Sequence, residues 1–305
     1  MTTEKGYYSR VHQRLLTEFF PFQQGKTFTT ENIYAFFDLG KYRLEKSQEI
    51  KHAVSEVLWN LSQKNKDKLL QLDANNRYRL VDKELDVIEW WIEPAGGVVE
   101  CPLKLPLGLN TYCVLDTPCL IVIASPTNQG KTAMILNILN LNLETYKDNI
   151  FFFESDPIEQ IKRRFKHFVF PIPIPPPFKM YRRLMNFEDV IEPAGLNLID
   201  YVRVDTQKIW AVQDTMLKLL SKLTTGIAIV ALQKPPGRDL AYGKDFSAFD
   251  SSLYLSIDKN KVRFIKIKTP KLQEEGIDPY HIAIQYKLRY GVQYYDEMVV
   301  SIDAE

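Results

Sequence analysis

Hydrophobic and polar positions divide the chain into two parts with different periods. Up to about residue 91, apolar side chains recur every three or four residues, which is typical of amphipathic helices. The first helical stripe contains Val11, Leu15, Leu16, Phe19 and Phe20. Threonines at 29–30 predict the cap of a second helix, and Ser47 predicts the cap of a third. Two short strands about the polar turn 73–76 follow, so the order is that of a winged helix.

The pattern changes after residues 93–97, a Glu-Pro-Ala-Gly-Gly segment that is the best candidate for a linker. Apolar strands then alternate with helices: strands over 120–124, 150–153, 196–199 and 227–232, and helices from 131, over 158–165 and over 211–223. The final third is rich in strands, over 253–257, 262–267, 282–288 and 292–300. We therefore predict an α/β domain over 93–305, with a mostly parallel sheet and helices on both faces. A small α+β winged-helix-like domain over 1–92 precedes it.

Composition excludes few classes of protein. The chain has 305 residues, 45% hydrophobic and 25% charged, with a formal net charge of +1, which is typical of globular proteins. Any basic surface for nucleic acid must therefore be local. Three cysteines without metal-ligand spacing favour buried thiols in a reducing cytoplasm. We expect a cytoplasmic protein (host cytoplasm if phage-encoded), without a secretory signal or membrane span.

A phosphate-binding motif lies between the strand at 120–124 and the helix that begins near 131. It contains Ser125, Pro126, Thr127, Asn128, Gln129, Gly130, Lys131 and Thr132. Strand, loop and helix are the context of a Walker A motif, whose backbone N–H groups cradle phosphates. Lys131 would reach the outer phosphates of ATP, and the Thr132 hydroxyl would hold Mg²⁺. Ser125 replaces the usual first glycine, and a chance Gly-Lys-Thr turn is the alternative.

Polar residues end three neighbouring strands, where the carboxyl ends of a parallel sheet meet its ligand. Asp200 has the form of a Walker B acid that binds Mg²⁺, although an ordinary strand-end acid is the alternative. Glu154 is placed to orient or deprotonate water, with Asp156 as its rival. Gln233 could sense the terminal phosphate or be a structural amide.

Beyond about residue 96 these motifs resemble the ATPase domain of RecA-like hexameric helicases, most closely the bacterial replicative (DnaB-type) helicase. The resemblance is carried by the phosphate loop, by Glu154 with Glu159-Gln160, by Asn197–Tyr201, by Ala231–Gln233 and by Gly243–Tyr254 with Phe249-Asp250. It implies ATP and Mg²⁺, a homo-oligomeric, hexameric ring, and single-stranded DNA in the ring channel. It further implies a trans-acting basic finger at Lys266 or Lys268, and DNA-binding loops with Arg203, Lys208, Lys234, Arg238 and Lys244. Ordinary surface cations are the alternative for the loops.

Two features depart from that family. Lysine replaces arginine at Lys268, and lysine cannot make the planar bidentate contact of an arginine finger. The N-terminal segment does not resemble the family's usual helical domain, and duplex DNA and a protein partner are alternative ligands for it. We therefore carry three functions: an ATP-dependent DNA motor, as in a replicative-type helicase of a phage or mobile element; a RecA-fold ATPase without helicase activity (recombinase-like, loader or switch); and a DNA-binding adaptor with a degenerate nucleotide site.

Overall fold

The computed structural model describes residues 3–64, 69–73, 75–81, 101–155, 157–203, 209–271 and 278–302. They belong to two compact units, Met1–Ile92 and Glu93–Glu305. The predicted linker at 93–97 lies outside the described residues, as do Asp156 and Lys208.

In its described residues the first unit contains three α-helices and a small antiparallel sheet. The helices are α1 (Thr3–Arg14), α2 (Thr30–Phe36) and α3 (Leu44–Trp59), and the strands are β1 (Thr27–Phe28), β2 (Leu70–Leu72) and β3 (Tyr78–Leu80), in the order β1-β3-β2. The predicted order of three helices and a hairpin is confirmed, and β1 is an additional strand. Thr29 caps α2 in a capping box with Asn32. The cap predicted at Ser47 is wrong, because α3 begins at Leu44 and the Ser47 hydroxyl donates to the Leu39 carbonyl (2.9 Å).

The second unit is built on a nine-stranded sheet. Its strands are β5 (Cys119–Ser125), β6 (Ile150–Glu154), β7 (Lys179–Arg182), β8 (Leu196–Val202), β9 (Ile227–Gln233), β10 (Leu253–Asp258), β11 (Lys261–Ile267), β13 (Ile282–Arg289) and β14 (Gln293–Ser301); β4 (Cys113–Val114) and β12 (Thr269–Pro270) form a separate pair. The order is β14-β13-β11-β10-β5-β9-β8-β6-β7. Six neighbouring strands are parallel: β10, β5, β9, β8, β6 and β7. The other three, β11, β13 and β14, pair antiparallel at one side of the sheet. This is the mostly parallel α/β sheet that the pattern predicts, and it agrees with the RecA-like fold that the resemblance implies.

Helices cover both faces of that sheet, because side chains of its buried strands alternate between two cores. On β5, Ile121 and Ile123 pack with helix α4 (Lys131–Leu141) and helix α5 (Ile158–Phe165), whereas Leu120 and Val122 pack with helix α6 (Ala211–Lys222). The carboxyl ends of the parallel strands therefore meet along one edge, with α4 beginning beside them.

Candidate nucleotide-binding site

The phosphate loop joins β5 to α4, and two of its residues have a left-handed backbone conformation. Asn128 has a φ of +60° and Gly130, which precedes the first residue of α4, has a φ of +109°. Asparagine tolerates this region better than most residues, and glycine adopts it without a Cβ penalty. No side chain caps the N-terminus of α4, so the first N–H groups of this helix are available to an anion.

Ser125, which replaces the usual glycine, is accommodated as the last residue of β5. It pairs in register with Gln233 of the neighbouring parallel strand, and its φ is outside the left-handed region. The side chain is fully buried, and its hydroxyl donates to the Pro126 carbonyl (3.0 Å). The backbone conformation at residue 125 is therefore one that serine adopts as readily as glycine, and the loop does not require glycine there.

A cleft of about 440 Å³ opens in front of the loop. It brings together seven of the predicted site residues: Thr127, Asn128, Gly130, Lys131, Thr132, Asp200 and Gln233. The predicted residues Ser125, Pro126, Gln129 and Glu154 do not line it. Asp200, two residues before the end of β8, and Gln233, the last residue of β9, thus lie at the same cleft as the phosphate loop, although they are far from it in sequence.

Two contacts order this cleft. The side-chain amide of Gln233 donates to the Thr127 hydroxyl (2.9 Å), which couples the end of β9 to the phosphate loop. The Lys131 ammonium lies 5.0 Å from the centre of the Tyr201 ring. A cation over an aromatic face gains about 0.5–2 kcal/mol, which is less than a phosphate would offer it. Lys131 is therefore held close to the cleft without a carboxylate partner among the described residues.

Glu154 lies one strand further along the sheet. It pairs in register with Asp200, and its side chain alternates onto the α4 face like that of Phe152. The carboxylate is 3% exposed, and its Oε1 accepts from the Ser155 amide (2.8 Å). Glu154 lines a separate hollow with Ile158 and Arg182. It therefore lies beside Asp200 in the sheet while remaining outside the phosphate cleft.

The donors in this cleft fit a magnesium nucleotide. Mg²⁺ usually takes one or two carboxylates, water and phosphate oxygens, not an all-protein cage. Thr132 and Asp200 offer a hydroxyl and a carboxylate at one cleft with Lys131. Within the described ranges no group of three or more His, Cys, Asp or Glu could hold a metal ion alone. Such a site would be completed by the nucleotide's own oxygens.

The two predicted finger lysines have different surroundings. The Lys266 ammonium donates to the carbonyl oxygens of Ala248 and Phe249 (2.8 Å each), and burial lowers its pKa. Lys268, two residues later, is exposed. Lys268 is therefore the better placed of the two to reach another molecule.

The predicted DNA-binding cations also separate. Arg203, Arg238 and Lys244 are exposed, and the last two line a hollow beside the loop that follows β9. Lys208 lies outside the described residues. The assignment of Lys234 is wrong, because its side chain is buried and its ammonium binds the Ser256 hydroxyl (2.7 Å) and the Asp258 carboxylate (2.9 Å).

Among the described residues, six more line the phosphate cleft and were not predicted as site residues: Ala133, Gln160, Arg164, Tyr201, Leu288 and Gly291. Gln160 and Tyr201 belong to segments that resemble the helicase motifs, so a signal for them existed. Arg164 is one of three consecutive basic residues in the last turn of α5, and nothing in the sequence separates it from the other two. Leu288 and Gly291 come from the β13–β14 hairpin, more than 150 residues from the loop, which only the fold could reveal.

Fold and site together define the class: a RecA-like α/β unit with a phosphate loop at the carboxyl edge of its sheet. No protein-family model and no curated protein matches the chain. Among solved structures, the KaiC-like protein PH0186 from the hyperthermophilic archaeon Pyrococcus horikoshii OT3 is 13% identical, with a TM-score of 0.43. The match covers 65% of this chain and 99% of that one. None of the described helices is long and apolar enough to cross a membrane.

Proposed function

We propose that the chain is an ATP-hydrolysing motor that acts on single-stranded DNA. The observation that carries the proposal is one cleft that unites an uncapped helix N-terminus, Lys131, Thr132, Asp200 and Gln233. Each has a role in phosphoryl transfer, in which catalysis is mainly positioning and electrostatic stabilisation. The resemblance to hexameric helicases supports the same reading of the motifs.

The roles follow from chemistry and position. Backbone N–H groups and the Lys131 ammonium would bind phosphate oxygens, while Thr132 and Asp200 would hold Mg²⁺. When bound, Mg²⁺ neutralises phosphate charge and fixes the orientation of the phosphate oxygens. Glu154, beside Asp200, would orient or deprotonate the attacking water. The Gln233 amide would exchange its bond to Thr127 for one to the terminal phosphate.

Coupling to DNA would run through the loop that follows that glutamine. The loop over 234–242 carries exposed Arg238, and exposed Lys244 lies just beyond it. Backbone-tracking cations are what sequence-independent binding of a single strand requires. Hexameric ring assembly and a finger at Lys268 belong to the same proposal, because such a site is completed by a neighbouring subunit.

A second candidate is an ATPase of the same fold without strand separation. It is favoured by the removal of Lys234 from the DNA-binding set and by the internal bonds of Lys266. The first unit, with three helices and a sheet in the order β1-β3-β2, supports a winged-helix-like module for either candidate. Duplex DNA and a protein partner are its two alternative ligands.

The deciding experiment measures ATP turnover by the purified full chain, with and without single-stranded DNA, alongside strand displacement and solution mass. Turnover with strand displacement by a ring supports the motor, and turnover without displacement supports the second candidate. Glu154→Gln is the matched control, because it keeps shape while removing the base. It should bind ATP normally and hydrolyse it at least about 100-fold more slowly. Absence of turnover in the unaltered chain would reject both candidates in favour of a DNA-binding adaptor.

A further inference from the structure

An arginine outside the phosphate-loop motif lies at the same cleft and has no partner in the described part of the chain. Arg164, on the last turn of α5, lines the cleft with Lys131 and Asp200. Its Nη1 is buried and makes no hydrogen bond to any described residue, and no carboxylate there forms an ion pair with it. A buried guanidinium nitrogen without an acceptor is costly, so this group calls for an acceptor from the cleft, either water or a ligand.

The surroundings of Arg164 hold it in place. The turn between β13 and β14 packs against it, and a Cβ added at Gly291 would lie 3.4 Å from Arg164 Nε. Gly291 has a φ of +70°, so both its backbone and its missing side chain suit this close approach. The turn over 290–292 therefore forms a wall of the cleft, and the guanidinium of Arg164 lies against it.

That wall is tied to both neighbouring helices. His167, just after α5, stacks on Tyr290 of the turn, with ring centres 4.3 Å apart. On the other side, the Asn137 side chain of α4 donates to the Val292 carbonyl (2.6 Å). The turn is thus fixed between the helix that follows the phosphate loop and the helix that carries Arg164. Pre-organisation of this kind lowers the entropy cost of binding.

We propose that Arg164 is a second cation of the nucleotide site, supplied by the same subunit, whose guanidinium binds the phosphate groups of ATP. The inference rests on the proposed function. A phosphate, not the base, is assigned because the half-buried Arg164 has no counter-charge among the described residues, and a neutral base would not provide one. Arginine also presents planar donors that match phosphate oxygens. Arg163 precedes it on the same helix turn but is exposed and does not line the cleft.

The test compares binding of a non-hydrolysable ATP analogue and of tripolyphosphate, both with Mg²⁺, by calorimetry. Arg164→Ala should weaken both ligands about 10- to 100-fold, the range for a hydrogen bond to a charged group. Arg164→Lys should recover part of that loss, because it keeps the charge without the fork. Arg163→Ala is the matched control and should bind both ligands like the unaltered chain. Thermal unfolding of each variant reports whether it is folded, and Arg164→Lys carries the test if the alanine variant is not.

Each other result has a distinct meaning. Unchanged affinity in Arg164→Ala, or in a folded Arg164→Lys when the alanine variant does not fold, would overturn the inference. Loss of the ATP analogue alone, with tripolyphosphate unaffected, would overturn the phosphate assignment in favour of the nucleoside. An equal loss in Arg163→Ala would reduce the effect to general charge on α5 and overturn it as well. Failure of the unaltered chain to bind either ligand would reject the proposed function itself, and this outcome is separate from the other three.

Discussion

Two loops leave adjacent strands of the sheet side by side, and their lysines have opposite environments. The phosphate loop follows β5 and the loop over 234–242 follows β9, whose terminal residues Ser125 and Gln233 are paired. Lys131 of the first faces a cleft, whereas Lys234 of the second is buried against Ser256 and Asp258. The environment of a lysine within a local motif can thus be predicted from its neighbours in sequence. The environment of a lysine in a loop such as 234–242 is set by carboxylates on strands distant in sequence, so it cannot.

The buried lysine belongs to a small network. Asp258 also lies 3.6 Å from the Arg263 guanidinium, which in turn pairs with Asp239 in the loop over 234–242. Burial lowers the pKa of Lys234, and Asp258 opposes that shift. This network fixes the start of the loop to the β10–β11 hairpin. Substitutions at Lys131 and Lys234 therefore distinguish a lysine that serves a ligand from one that serves the fold.

The largest effect is expected at the phosphate loop. Lys131→Ala should lower ATP turnover about 100- to 1,000-fold, or about 2.7–4 kcal/mol, because it removes a preorganised cation from the developing phosphate charge. Its melting temperature should stay close to that of the unaltered chain, since Lys131 forms no ion pair with any described residue. Exposed Lys147 provides the control, and Lys147→Ala should keep full turnover. If Lys131→Ala unfolds instead, Lys131 stabilises the fold, and it does not differ from Lys234 in the way proposed.

Lys234→Met should lower the stability of the fold, in contrast to Lys131→Ala, which should lower ATP turnover. Loss of one partner of a buried pair costs about 3–5 kcal/mol, and we expect about 2–3 kcal/mol here because Arg263 still faces Asp258. Urea unfolding measures this change. Exposed Arg238, four residues later, supplies the comparison: Arg238→Ala should leave stability within about 0.5 kcal/mol. Full stability of Lys234→Met together with weaker binding of single-stranded DNA would restore Lys234 as a DNA contact.

Gly130→Ala probes the backbone of the phosphate loop. A side chain in the left-handed region costs about 1–2 kcal/mol, and residue 130 has a φ of +109°. The same loop offers a control at Asn128, whose φ is +60°. Asn128→Gly should change stability by no more than about 0.5 kcal/mol, since glycine adopts that conformation readily. Equal losses in both variants, measured by urea unfolding, would argue against a turn that requires glycine only at residue 130.

Sequence patterns predicted the strands, helices and motifs that lie within short segments, but not the contacts between segments that are distant in sequence. The alternation of apolar strands and helices identified β5, β6, β8 and β9, because fully buried parallel strands leave a continuous apolar signature. Strand β7 was missed since only four residues, mostly exposed, form it at the edge of the sheet. Five of the eight residues of the phosphate loop lie at one cleft with Asp200 and Gln233. The position of Arg164 at this cleft could not be predicted, because the turn that packs against it is distant in sequence.

The smallest effect concerns the one departure within the motif, Ser125. If the fold needed glycine there, Ser125→Gly would relieve strain and tighten nucleotide binding. The residue instead ends a strand outside the left-handed region, with its hydroxyl bonded to the Pro126 carbonyl. Glycine should therefore cost about 0.5–1 kcal/mol of stability through its greater unfolded-state entropy, with affinity for an ATP analogue unchanged. Urea unfolding and calorimetry on the same preparation measure both. A tighter, more stable Ser125→Gly protein would show that the serine distorts the loop and would weaken the case for a working phosphate site.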